Sequence, residues 1–153
     1  MNAVNTLNTL TGQFTGTKKL WMAPGSPAQE SVSQAVITTV GGGFSKIEYT
    51  WSTEGRPQNG VLLVRTVPGH GDQDMIWVDS WHMNSQFMVC HRENRPSAIV
   101  SARASYPAPP GPDWGWRITV KSPQQNQLTI IMDNITPEGE EMMAVEIQYE
   151  RVG

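Results

Sequence analysis

Apolar side chains recur at every second position through most of this chain, and clusters of Gly and Pro break the recurrence at intervals of about eight to fifteen residues. A period of two is the spacing of a strand with one buried face, because successive side chains point to opposite sides of the pleat. Segments 14–21, 30–39, 46–53, 61–67, 75–83, 87–92, 98–106, 114–120, 128–134 and 142–151 carry it. The breaks between them read "APGSP", "VGGG", "EGRPQNG", "VPGHGDQ", "NSQ", "ENRP", "PAPPGP", "SPQQNQ" and "ITPEG". "PAPPGP" cannot donate a ladder of hydrogen bonds and is expected to run as an extended surface connection, with a lid as its functional alternative.

One segment also fits a helix. In "TPEGEEMMAVEIQY", Thr136 can serve as N-cap and Pro137 as the first helical residue, with Met142, Val145 and Tyr149 at helical spacing. The alternation of Met143, Val145, Ile147 and Tyr149 with Ala144, Glu146, Gln148 and Glu150 favours a strand, and Gly139 weakens a first helical turn. Roughly ten short antiparallel strands without a long helical pattern suggest a sandwich or a closed up-and-down barrel. A length of 153 residues suits one all-β domain over 1–153, with 1–11 as a lead-in.

Composition narrows the partners. The net charge is −3, from 11 basic and 14 acidic residues, and no basic run exceeds Lys18-Lys19, so a phosphate backbone has no footprint to bind and nucleic acid is not an expected partner. No window approaches the roughly 18 apolar residues of a spanning helix, and "MNAVNTLNTL" lacks a secretory pattern, so no membrane partner is expected and the expectation is a cytoplasmic protein. Cys90 is the sole cysteine, which rules out an intramolecular disulfide and fits a reducing compartment.

The opening "LNTLTGQFTG" places Leu7, Leu10, Gly12, Phe14 and Gly16 in the spacing L-x-x-L-x-G-x-(aromatic)-x-G. This resembles the start of calycin-like barrels, which include lipocalins, fatty-acid-binding proteins and nitrobindin-like haem proteins. The resemblance implies that Phe14 closes one end of a barrel beneath Arg151 from "QYERVG", a cation–π contact of about 0.5 to 2 kcal/mol. "KKLWMAPG", "GGGFSKIEYTW", "DMIWVDSW" and the Y-x-R ending together resemble the bacterial family catalogued as domain of unknown function 1579, over nearly the whole chain. What that family implies is an up-and-down barrel with an internal cavity and no catalytic residue to carry over.

Six tryptophans are many for this length, and Trp51, Trp77, Trp81, Trp114 and Trp116 fall in expected strands. If their faces point inward they line a cavity able to hold one small, partly apolar ligand, or they simply fill the barrel, each removing some 150 to 250 Å² from water. In "MIWVDSWHM", Asp79 shares a face with Trp77 and Trp81, where a carboxylate must meet water, a donor or a ligand. A two-residue turn at Asn84-Ser85 would pair Met83 with Gln86, set Asp79 opposite Cys90, and let Arg92 reach Asp79 diagonally while covering Trp77. The expected ligand site is therefore Tyr49, Trp51, Trp77, Trp81 and Trp116, with Asp79 and Arg92 at its mouth.

Other chemistry finds less support. In that register His82 and His91 stand about 13 Å apart and His70 lies in a remote loop, so no metal site is expected. No cofactor is expected either, although a single axial histidine for haem needs only one of them. Cys90 and His91 face opposite sides of a strand, which argues for a buried structural cysteine, and "VGGGFSK" lacks the context of a phosphate loop. An enzyme using Asp79 with His82 or His91 as acid and base is the rival to a binding protein. A structural module that forms a homodimer is the other.

Overall fold

The computed structural model describes residues 7–67, 69 and 71–153. Ten strands appear: β1 (Gly12–Leu20), β2 (Gln29–Val40), β3 (Phe44–Thr53), β4 (Arg56–Arg65), β5 (Gln73–Asp79), β6 (Met88–Arg92), β7 (Val100–Tyr106), β8 (Trp114–Lys121), β9 (Gln127–Ile135) and β10 (Glu141–Arg151). Each pairs antiparallel with its neighbours in sequence, and β10 returns to pair with β1, so the sheet closes as an up-and-down barrel and not a sandwich. Each strand therefore has two neighbours, although β6 and β7 pair at only two positions, His91 with Arg103 and Arg92 with Ala102.

The alternation works as the period demands. From β3, Ser45, Ile47, Tyr49 and Trp51 point inward and are buried, while Lys46, Glu48 and Thr50 between them face out. The same parity on the other strands brings Ile37, Leu62, Val64, Met75, Ile118, Leu128, Ile130 and Ile147 into one core. Each such side chain contributes about 1.5 to 3 kcal/mol on full burial. Segment 136–149 resolves as a turn followed by β10, because Thr136 closes onto Glu140 and Gly139 takes a φ of 95° that a helix excludes. A bulge between Met143 and Val145 then shifts the inward face, so Met143 lies outside.

Most expected boundaries shift by a residue or two, and two move by four or more. The turn in "EGRPQNG" is only Glu54-Gly55, both at positive φ, and β4 starts at once with Arg56. The strand expected at 75–83 ends at Asp79, for a reason that lies in the Asp79 side chain and is given below. The glycines of "VGGG" form the turn between β2 and β3.

The barrel has two unlike ends. At one, residues 7–9 form a helical turn that places Leu7 and Leu10 on the core, and Phe14 lies beneath Arg151, whose guanidinium carbon is 4.9 Å from the ring centroid. Arg151 also donates to the carbonyls of Thr11 at 2.6 Å and Thr9 at 3.0 Å. The expected pairing of Phe14 with Arg151 holds in the ladder as well. The other end, where β1, β3, β5, β7 and β9 finish, carries the tryptophans.

Two glycines are required by close approach. A Cβ at Gly16 would overlap the Gln148 carbonyl on β10, and one at Gly60 would overlap the phenol of Tyr49. Gly16→Ala must push β1 and β10 apart, whereas Gly60→Ala need only tilt one ring. Urea unfolding should show Gly16→Ala destabilised by more than about 3 kcal/mol and Gly60→Ala by about 1 to 3. Equal, small losses would contradict the stated contacts.

Candidate functional site

Asp79 is 2% exposed, so its carboxylate needs donors, and four reach it. Tyr49 Oη donates to Oδ2 at 2.6 Å and Trp51 Nε1 to the same oxygen at 3.1 Å. The backbone N–H groups of Trp81 and His82 donate to Oδ1, each at 2.9 Å. An aspartate that caps amides two and three residues ahead turns the chain, and so β5 stops here. Met83 N–H to the Asp79 carbonyl and Gln86 N–H to the Met83 carbonyl, both 3.0 Å, complete the reversal into β6.

This turn changes the register expected from sequence. Trp77 pairs with Met88 and Met75 with Cys90, so Asp79 does not face Cys90. Arg92 does not reach Asp79 at all. It forks onto Asp74 at the far end of β5, at 2.7 and 3.1 Å, and leaves the barrel mouth. Asp79 is held instead by neutral donors from β3 and by its own turn.

The turn carries His82 back over the barrel end. The imidazole lies among four indoles, with ring centroids 5.5 Å from Trp51, 5.3 Å from Trp77, 4.7 Å from Trp81 and 5.9 Å from Trp116. Trp77 and Trp116 stack nearly parallel at 5.5 Å, and Trp77 Nε1 donates to Tyr49 Oη at 2.9 Å. Of the residues expected to line a site, Tyr49, Trp51, Trp77 and Trp116 are buried and converge, while Trp81 packs edge-on against Trp51 and stays 36% exposed.

Sequence reasoning missed Lys18. Its parity with Phe14 and Leu20 was the available signal, since β1 turns that face inward. Lys18 is 1% exposed, and its Nζ sits 3.1 Å from the centroid of a Trp51 ring and 3.3 Å from His82 Nε2. Burial lowers its pKa to about 7 against the attraction of Asp79. Burial and the neighbouring Lys18 charge lower His82 to about 4, with Asp79 again opposing. Burial, with the Asp79 charge, holds the Tyr49 phenol well above its ordinary range.

A pocket of about 260 Å³ opens beside this cluster, lined by Trp77, His82, Met83, Gln86, Met88, Tyr106, Pro107 and Trp116. Of the residues expected at the site, Trp77 and Trp116 line it, and Tyr49, Trp51, Asp79, Trp81 and Arg92 do not. The first residue of "PAPPGP" forms part of its wall. The indole Nε1 of Trp116 is buried with no hydrogen-bond acceptor among the described residues.

Acid–base and metal chemistry are placed as follows. The His82 ring reaches Lys18, and only its backbone N–H reaches Asp79. His91 points outward to Asp72 at 2.8 Å, away from the cluster. An iron bound through His82 Nε2 or His91 Nδ1 would have to break one of these contacts. Among the described residues no three His, Cys, Asp or Glu side chains come together to hold a metal ion, and His70 lies outside them. Cys90 is buried inward and its thiol is pushed up to about 12, which makes it a poor nucleophile. No helix among the described residues is long and apolar enough to cross a membrane.

The profile of the family described as "Protein of unknown function (DUF1579)" matches residues 2–151. The chain belongs to that family. No curated protein sequence matches it. Among solved structures, Rv2717c from M. tuberculosis covers this chain completely and is itself covered over 99%, with a TM-score of 0.61 and 13% identity. At that identity the likeness is one of fold. A redesigned beta barrel also aligns over the full chain and 98% of its own length, with a TM-score of 0.46 and 12% identity.

Proposed function

We propose that this family member binds a small, partly apolar molecule at the tryptophan-bearing end of its barrel. The observation that carries the reading is the 260 Å³ pocket floored by the stacked pair Trp77 and Trp116. Its volume is several times the roughly 30 Å³ that a water occupies in the liquid. Two methionines supply adaptable apolar wall, and Gln86, Tyr106 and His82 supply polar groups, the mixture usual for small-molecule sites. A ligand acceptor that reached Trp116 Nε1 would satisfy a buried indole donor that has no acceptor among the described residues.

Titration with 1-octanol, followed by tryptophan fluorescence, tests this. A saturable change is expected because both indoles form the floor. Gln86 is exposed at the rim, so Gln86→Phe should narrow the entrance without disturbing the core and weaken binding about tenfold, or 1.4 kcal/mol. No saturable signal with octanol or any member of an alcohol series would overturn the reading.

A further inference from the structure

Lys18 is the buried group for which neither the fold nor ligand packing accounts. A structural lysine inside a barrel ordinarily meets a carboxylate, since an ammonium removed from water is costly unless paired. Among the described residues no carboxylate lies within ion-pair distance of Lys18 Nζ. Asp79, the nearest candidate, already accepts from four donors. The charged and titratable groups around the amine are Asp79 from β5, Tyr49 from β3, which itself donates to Asp79, and His82 from the turn. An ammonium there would have three N–H groups and one acceptor, His82 Nε2, in addition to the Trp51 ring face. The Trp51 ring face and the Asp79 charge favour the ammonium while burial favours the neutral amine, and the neutral form is the one whose lone pair can react.

That amine also lies next to a binding space. His82 touches Lys18 through Nε2 on one side and lines the pocket on the other. It belongs to a turn that Asp79 holds by two backbone bonds, and its ring has no partner among side-chain oxygens in the described residues. Attack on an aldehyde held in the pocket requires the His82 ring to turn aside from the line between the pocket and Nζ. Trp116, with its unpaired N–H, lies across the same space.

We propose that Lys18 is a reactive amine that forms an imine with an aldehyde held in the pocket, an inference that rests on the binding reading above. The Nζ lone pair attacks the carbonyl carbon, a C–N bond forms as the C–O π bond breaks, nitrogen gives up one proton and the oxygen takes one from water to give a neutral carbinolamine. Loss of that hydroxyl as water, with the remaining nitrogen proton passing to solvent, leaves the C=N bond. His82 Nε2, at hydrogen-bond distance from Nζ, accepts a proton in the first stage and returns it to the leaving hydroxyl in the second. The step needs neither oxidant nor reductant, and the apolar tail of the aldehyde would rest on Trp77 and Trp116.

Incubation of the whole protein with octanal at pH 7, reduction by cyanoborohydride, and peptide mapping of the product test the assignment. The expected result is one adduct per chain at Lys18, in preference to Lys19, Lys46, Lys121 and the N-terminal amine. Octanal trapping should be at least tenfold slower in Lys18→Met, and 1-octanol should compete with the aldehyde in the unaltered protein. Adducts spread over the other amines with Lys18 unmodified, while 1-octanol still binds, would overturn the imine and leave the pocket standing. If neither compound binds, both readings fall. The map of the unaltered protein decides the question even if Lys18→Met folds poorly.

Discussion

Asp79→Ala should unfold at a much lower urea concentration than the parent, with a loss of about 4 kcal/mol or more. The expectation follows from what its oxygens accept. Removal of the carboxylate leaves Tyr49 Oη and Trp51 Nε1 as buried donors without acceptors and frees the two amides that shape the turn. An orphaned buried donor costs roughly 1 to 3 kcal/mol, and the amides recover part of theirs from water if the turn opens. Against a usual total of about 5 to 15 kcal/mol, this is enough to leave a substantial unfolded fraction. Asp79→Asn keeps one acceptor oxygen but turns an NH₂ towards two donors, so it should fall between the parent and the alanine variant. A loss below 1 kcal/mol for Asp79→Ala would mean that the carboxylate does not organise this end of the barrel.

The second large effect is a pH dependence with two arms. Lys18 titrates near 7 in the folded protein and near 10.5 when unfolded, so above pH 7 the unfolded chain binds the extra proton. Stability must therefore rise as the pH is raised from about 7 towards 10, by an amount on the order of 3 kcal/mol. His82 titrates near 4 when folded and near 6.5 when unfolded, so stability must fall as the pH drops through that window. Lys18→Met fills nearly the same volume without the charge, and it should abolish the alkaline arm. It should also ease protonation of His82, since the Lys18 charge is one cause of its low value. Urea midpoints of both proteins at pH 4.5, 7 and 9.5 would show this, and parallel curves for parent and variant would contradict it.

These residues also mark where sequence reasoning succeeds and where it stops. Alternation located ten strands because one face of each must enter a common core, and a period-two error would have exposed the whole apolar set. The contact of Phe14 with Arg151 was legible only through the resemblance to calycin-like barrels, since nothing in the spacing of this chain by itself brings its two ends together. Parity put Tyr49 with Trp51 and Trp77 with Asp79 on shared faces but left open which faces enter the barrel, and the structure turns Tyr49, Trp51, Trp77 and Trp116 inward. Parity failed from Ser80 onwards. Trp81 and Met83 continue the alternation of β5 on paper, but the Asp79 side chain diverts the backbone before they can join the ladder. That single turn moved the pairing of β5 with β6 and sent Arg92 to Asp74. Lys18 was read only as part of the basic pair Lys18-Lys19, although its own position faces inward.

The clamp made by Arg151 has a practical side. Its guanidinium grips the carbonyls of Thr9 and Thr11, and the amide of Val152 donates to Gln13 at 2.8 Å, so the beginning and the end of the described chain run side by side beneath Phe14. Both lie at the end of the barrel remote from the indoles. A partner joined next to Thr9 or Arg151 would thus sit away from the mouth that carries the indoles. A short linker joining the two, with new ends cut at the glycine turn between β2 and β3, would re-order the chain without cutting a strand or touching the residues around His82.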